Sequence, residues 1–389
     1  LTRGRFQAEF GSRDAALADL EQARKLAPDS VDVLLASARL AYDRASAART
    51  EGRDALAQRI VAESRQQLQL GVEQHPEHLE LLLQCVMLEA HFGSTSEAQR
   101  QIDEVLKLSP KNAQAHLLLA DMTIEQGRFE PARAAIDKLP RTPGSDALRL
   151  FLESRMLMSK QQWPQAIETL EQSRRITTDS SGLMERTDLA LAQCHAAAGD
   201  DESQVAAFRR VLKANPLSVP ARLGLAAGLL KKQKLNEAIA EFRPLAHLPQ
   251  VRLQLARLLI TRNLQLPELA REWSEIEKLL EQAKEQRDDP VNEVLLRAEM
   301  LAARGQLDAA RRVIEEARVT QTDRIEFLIA SSRMAERAGE TRQANLAMGQ
   351  ALSLAGDATR AEPLLRQAWE KDRADFPAAL ALLQHLVRH

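Results

Sequence analysis

The chain has 389 residues, 44% of them hydrophobic and 28% charged, with 53 basic against 55 acidic side chains and a net charge of −2. That balance lacks the basic excess with which nucleic-acid-binding proteins meet phosphate, so DNA and RNA are not expected as partners. Two distant cysteines, Cys85 and Cys194, set no disulfide framework, and no apolar run approaches the length of a membrane-spanning helix.

Ala, Leu, Glu, Gln and Arg dominate while aromatic residues make up only 3%, a composition that favours helices packed through small side chains. Gly11 opens a pattern continued by Ala16, Leu20, Ala23 and Pro28. Pro28 to Pro76 then runs 48 residues against the 34 of the later spacing. Residues 29–76 are therefore expected to form an elongated hairpin, Val31 to Thr50 and Arg53 to Val72, with Glu51 and Gly52 near its tip. Gly93, Ala98, Ile102, Val105 and Pro110 form the best-kept copy, and Gly127, 34 residues on, leads to Ala132, Ile136 and Leu139. Gln161 replaces the glycine one period later, ahead of Ala166 and Leu170.

After an insertion around Asp179 to Gly182, Gly199 leads to Phe208, Val211 and Pro216, and Gln233 to Ala238, Phe242 and Leu245. Residues 251–290 form an atypical long unit without a turn glycine. There, Leu266-Pro267 is expected to start a helix from Glu268 to Gln286 with Trp273 on its apolar stripe. Gly305 leads to Ala310, Ile314 and Ala317, and Gly339 to Ala344, Met348 and Ala351. Residues 323–389 are expected as four helices: Glu326 to Ala338, Arg342 to Leu354, Ala358 to Lys371, and Pro377 to Val387. Gly356 falls only 17 residues after Gly339; continued alternation of first and second helices is preferred there over a slip by one helix.

The spacing has a physical cause. Two antiparallel helices of about 12–15 residues and two short turns consume one period. The glycine supplies a left-handed cap between the helices. Alanine five residues later permits close backbone approach, the bulky residue after it fills the gap between units, and proline fits just beyond the helix end.

These offsets resemble the tetratricopeptide repeat of bacterial type, over nearly the full length. The resemblance implies an all-α fold, a right-handed superhelical solenoid of antiparallel helix pairs with roughly ten to eleven units, as a single array over residues 1–389. On that register Leu1 falls inside a first helix whose opening turn is missing. The chain is therefore expected to be a fragment of a longer polypeptide, with any targeting signal upstream and the compartment open between bacterial cytoplasm and periplasm. The resemblance further implies a non-catalytic scaffold without cofactor or metal, binding a protein or peptide in a groove lined by the first helices. The fifth groove position holds Leu83, Leu117, Phe151 and Leu189, and the ninth holds Met87, Asp121, Arg155 and Gln193. His91, Glu125 and Met158 lie further along. Family members that grip a peptide's C-terminal carboxylate use Lys and Asn at such positions, and here that clamp is absent.

Residues that could suggest other chemistry fall at positions the repeat already explains. His75-Pro76-Glu77-His78 falls at an inter-repeat turn and reads as a solvated turn rather than a metal site. Cys194 and His195 are helix neighbours whose side chains do not face each other. Asp200-Asp201 and Asp288-Asp289 precede helices and are expected to cap them. No phosphate-binding glycine loop, nucleophile elbow or zinc-protease motif is present. Two alternatives to a binding scaffold stay open: an assembly segment of a larger envelope or secretion complex, or the regulatory arm of an enzyme whose catalytic domain lies outside this segment.

Overall fold

The computed structural model describes residues 13–389 except 28, 51, 178–180 and 321–323. The expectations placed on Leu1, Gly11, Pro28, Glu51 and Asp179 lie outside the described residues. Among those described there are 21 α-helices, two short 3-10 helices and no strand. The chain is all-α, built from antiparallel helix pairs, and divides into two compact units, residues 1–234 and 235–389.

The first unit opens with α1 (Arg13–Leu26), α2 (Val31–Thr50) and α3 (Asp54–Gln74). The pairs α4 (Leu79–Phe92) with α5 (Thr95–Leu108) and α6 (Ala113–Glu125) with α7 (Phe129–Asp137) follow. It continues with α8 (Pro143–Ser159) and α9 (Trp163–Ile176), then α10 (Ser181–Ala197) and α11 (Asp201–Ala214), and closes on α12 (Val219–Lys231). Each helix packs on its sequence neighbour, and the first helices also pack on one another in the order α2, α4, α6, α8, α10. The small-then-bulky pattern explains the close packing: Ala98, Ile102 and Val105 are fully buried against Leu82, Leu83 and Val86. Burying a Leu, Ile or Val side chain is worth about 1.5–3 kcal/mol, so a stack of such stripes holds neighbouring pairs together.

The turns carry the first correction. Gly127 takes the expected left-handed conformation at φ +70, and Gln161 and Gln233 take it as well, at φ 58 and 57, without being glycine. Gly93, in the best-kept copy, does not: its φ is −125 and its ψ −139. A Cβ there would fall on the Glu89 carboxylate and crowd the Arg65 guanidinium. Gly93 is thus required for space, not for handedness. Glu89 accepts two hydrogen bonds from Arg65, at 2.5 and 3.2 Å, and a third from the Ser94 backbone N–H at 3.2 Å.

The second unit holds α13 (Leu235–Phe242), α14 (Pro249–Gln265), α15 (Ser274–Gln286), α16 (Pro290–Ala303) and α17 (Leu307–Thr320). It ends with α18 (Ile325–Arg337), α19 (Thr341–Leu354), α20 (Ala358–Glu370) and α21 (Phe376–Arg388). The helix expected from Glu268 starts only at Ser274, after a 3-10 turn at Glu268–Ala270, and Trp273 sits at its N-cap rather than on its stripe. Side chains hold the intervening backbone out of the helix. The buried Asn263 amide donates to the Glu272 carbonyl at 2.6 Å, and the Arg271 guanidinium donates to the carbonyls of Asn263 and Leu266, each at 3.1 Å.

Asp289 caps α16 and Asp200 caps α11 as expected, each accepting a backbone N–H. Asp288 does not cap. Its carboxylate pairs with Arg252, and the two side chains are only 6% and 2% exposed. Arg252 also donates to the carbonyls of Ala246 and His247 and to the Gln286 side chain.

Four successive helices do close the chain, but alternation is not kept. First helices pack in the order α14, α16, α18, and the next such contact joins α19 to α21. The slip occurs at α19. Its buried residues are all small (Ala344, Ala347, Gly349, Ala351 and Ser353), so α18, α20 and α21 all approach it. A Cβ on Gly349 would meet Leu365 of α20 at 2.7 Å, and Ser353 Oγ lies 2.9 Å from Nδ1 of the buried His385 on α21.

Candidate functional site

Successive helix residues are about 100° apart, so Met87, Ala90 and His91 look to one side of α4 while Leu82, Cys85 and Glu89 look to the other. On the Ala90 and His91 side, four consecutive first helices enclose a hollow of about 330 Å³. From α6 come Leu118, Asp121, Met122 and Glu125, from α8 Phe151, Arg155 and Met158, and from α10 Arg186, Leu189, Ala190 and Gln193.

The charges inside are engaged with one another. Arg155 pairs with Asp121 and, through its other terminal nitrogen, with Glu125 at 3.2 Å. Arg186 stands 3.9 Å from the second Asp121 oxygen and lies over the Phe151 ring, 4.7 Å from its centroid. A guanidinium over an aromatic face is worth about 0.5–1 kcal/mol when exposed, so Arg186 is oriented rather than locked. Beside the hollow, Tyr42 of α2 packs edge-on against His91 and Phe92, with ring centroids 5.2 and 5.5 Å away. Burial, and next the Asp43 carboxylate, raise the Tyr42 phenol above its ordinary range; it is un-ionised at neutral pH and adds an uncharged aromatic surface.

Of the eight groove residues expected from sequence, Asp121, Phe151, Arg155, Leu189 and Gln193 come together here. Phe151 is only 4% exposed and serves as floor. Leu83, also 4% exposed, lies in the core with Ile102 and Val105. Met87 packs on the edge of that core, and its sulfur faces the Gln114 amide at 3.9 Å. Leu117 packs into the core between α6 and α8. Leu83, Met87 and Leu117 do not line the hollow. Arg186 was missed, yet it stands three residues before Leu189 and seven before Gln193, a helical spacing that marks a common face.

Two sequence features resolve into local structure. His78 caps α4, its Nδ1 accepting the Leu81 N–H at 3.4 Å. Burial pushes the Cys194 thiol up to about 11, and His195 turns instead to Asp200 at 3.4 Å. Among the described residues no group of three or more His, Cys, Asp or Glu is arranged to hold a metal ion, and no helix is long and apolar enough to cross a membrane.

Residues 90–147, spanning the end of α4 to the start of α8, match the tetratricopeptide-repeat family model. Over that stretch the chain carries the tetratricopeptide-repeat pattern. No curated protein matches it in sequence. Solved structures similar to it include PilF of Pseudomonas aeruginosa, at 17% identity and a TM-score of 0.41, covering 57% of this chain and 97% of that one. PilW, described as a type IV pilus biogenesis factor, matches at 17% identity and a TM-score of 0.39, covering 64% and 96%. A human IFIT1 dimer with PPP-AAAA matches at 14% identity and a TM-score of 0.39, covering 91% and 89%. At these identities and scores none of them bears on what this chain binds.

Proposed function

We propose that the chain is a non-catalytic protein-interaction scaffold, with residues 1–389 acting as one run of repeats, and that the hollow on α4, α6, α8 and α10 receives a segment of a partner protein. The carrying observation is the convergence there of an apolar floor, Phe151 with Met122 and Leu189, and a half-exposed guanidinium, Arg186, held by stacking and one long ion pair. Asp121 and Arg155 largely satisfy each other. Arg186 is the group with donors to spare, so the segment presents an acidic or carbonyl-rich edge to it.

The experiment places a photo-crosslinking residue at the exposed Gln193 and, as a control, at Glu168 on α9. Gln193 should capture a discrete partner that Glu168 does not, and Arg186→Glu should reduce that capture about tenfold while leaving helical content unchanged. Equal capture from both positions, or capture indifferent to Arg186→Glu, overturns the reading. Phe151 is too buried for a clean test, since a charge there would damage the core itself.

A second reading, an assembly segment in a larger complex, is favoured by the outer face of α21. Phe376, Leu380, Leu383 and Val387 recur at helical spacing there, with Phe376 72% exposed. Ordered self-association in a sedimentation experiment, abolished by Phe376→Asp with Leu383→Asp, would support it, and a monomer at all concentrations would remove it.

A further inference from the structure

On the other side of α4 lies a larger hollow, about 700 Å³, walled by α3 and α5 and floored by α4. Its floor is apolar, with Leu68 and Val72 from α3 and Leu82, Cys85 and Leu88 from α4. Arg65 to Glu73 on one wall and Glu97 to Glu104 on the other line it for about 10–12 Å, two helical turns. That length matches two turns of a helix laid over α4 between α3 and α5.

The walls carry a clear electrostatic preference. Four carboxylates, Glu73, Glu89, Glu97 and Glu104, face two guanidiniums, Arg65 and Arg100. Arg65 is committed to the buried Glu89. Arg100 is shared between Glu97 at 2.5 Å and Glu104 at 2.6 Å, so that wall keeps a net negative charge. Among the described residues Glu73, on the facing wall, makes no ion pair, and its side chain is exposed. The Gln101 amide nitrogen donates to Glu97 at 2.9 Å, which holds that carboxylate in place on the wall.

We propose that this trough is a second docking site, and that its occupant is a basic amphipathic helix of a partner protein. Aliphatic side chains one turn apart enter over Val72 and Cys85, and lysines or arginines on either flank meet Glu73 and Glu104. The site is distinct from the hollow on the first helices, so Arg186→Glu leaves it unchanged and the two proposals fail separately.

Cys85 reports occupancy directly. It lies partly exposed on the floor, whereas Cys194 is buried and serves as an unreactive internal reference. The probe is a 14-residue helical peptide of leucine and lysine with one apolar face, compared with the same peptide carrying glutamate for lysine. Alkylation of Cys85 by iodoacetamide is followed by mass spectrometry in the full chain. The lysine peptide should slow alkylation about tenfold at saturation, the glutamate peptide should not, and Glu73→Lys with Glu104→Lys should weaken the lysine peptide about tenfold. Circular dichroism confirms that the double variant is folded, and Glu73→Gln alone, which disturbs no ion pair, should weaken binding in the same direction. An unchanged Cys85 rate at saturating peptide, equal protection by both peptides, or indifference to the rim substitutions overturns the proposal. Protection that rises with protein concentration alone makes a second copy of this chain the occupant, and overturns it too.

Discussion

Two of the stretches that break the 34-residue spacing, one in each unit, close on a carboxylate held by an arginine from an earlier helix. At the end of the elongated hairpin, Arg65 of α3 grips Glu89 of α4, with the carboxylate buried and the guanidinium 44% exposed. In the atypical unit, Arg252 of α14 grips Asp288 beyond α15, both side chains are buried, and the guanidinium donates to three further acceptors. The first pair sits in the wall of an open trough and leaves room around it. The second is a sealed fastening that fixes a turn whose Arg287 is itself left-handed. A lapse in the repeat can thus be closed by the same chemistry for different ends, and solvent access to the guanidinium separates them.

The largest expected effect tests the sealed pair. Arg252→Ala strands a buried carboxylate, which typically costs about 3–5 kcal/mol. Hydrogen exchange should show α14 and α15 opening first, and protection lost evenly over the chain would contradict a fastening of local reach. Next comes the open pair. Gly93→Ala forces a methyl group onto the Glu89 carboxylate and should cost about 1–3 kcal/mol in chemical denaturation. The double variant Gly93→Ala with Glu89→Ala should cost less than the two single changes added together, a coupling that a purely conformational role for Gly93 would not produce.

Smaller and opposite in sign, Gln161→Gly and Gln233→Gly relieve left-handed backbone and should each stabilise the chain by about 0.5–1 kcal/mol. Applied to both sites, they separate the demand for handedness from the demand for space at Gly93. The smallest effect reads the Glu89 charge. Burial, and then Glu89, push the Cys85 thiol up to about 11. Glu89→Gln should therefore move the midpoint of the Cys85 alkylation profile to lower pH, and an unmoved midpoint would contradict this role of the Glu89 charge. The Cys85 and Cys194 thiols are both protonated below their unfolded values, and the raised values make stability fall as pH climbs from about 9 towards 11.

The helix pairs were legible because they rest on local rules. A small residue, a bulky one and a proline at set distances dictate a helix and its end whatever lies elsewhere. Gly93 matched that rule and obeyed another, because the residue that demands its small size, Glu89, is positioned by Arg65 from an earlier pair. Asp288 looked like a cap beside Asp289, and its partner lies 36 residues upstream, where no local pattern points to it. In the groove, the fifth-position rule selected Leu83 and Leu117 as readily as Leu189, since apolar side chains at one helical position face either core or hollow depending on the neighbouring helix. Arg186 was readable in principle. Its helical spacing to Leu189 and Gln193 was available, and only its approach to Phe151 required coordinates.

The crowded helix α19 has a consequence for how such a chain can change length. Where first and second helices strictly alternate, only an even number of helices can be added or removed without turning every later face inside out. At Thr341–Leu354 the helix that closes one pair also opens the next, because small side chains let neighbours reach it from several directions. An odd number of helices can then follow while each keeps a buried side and a wet side. Parity of the helix count is free to change at that one place, and the tail of the chain can vary there one helix at a time.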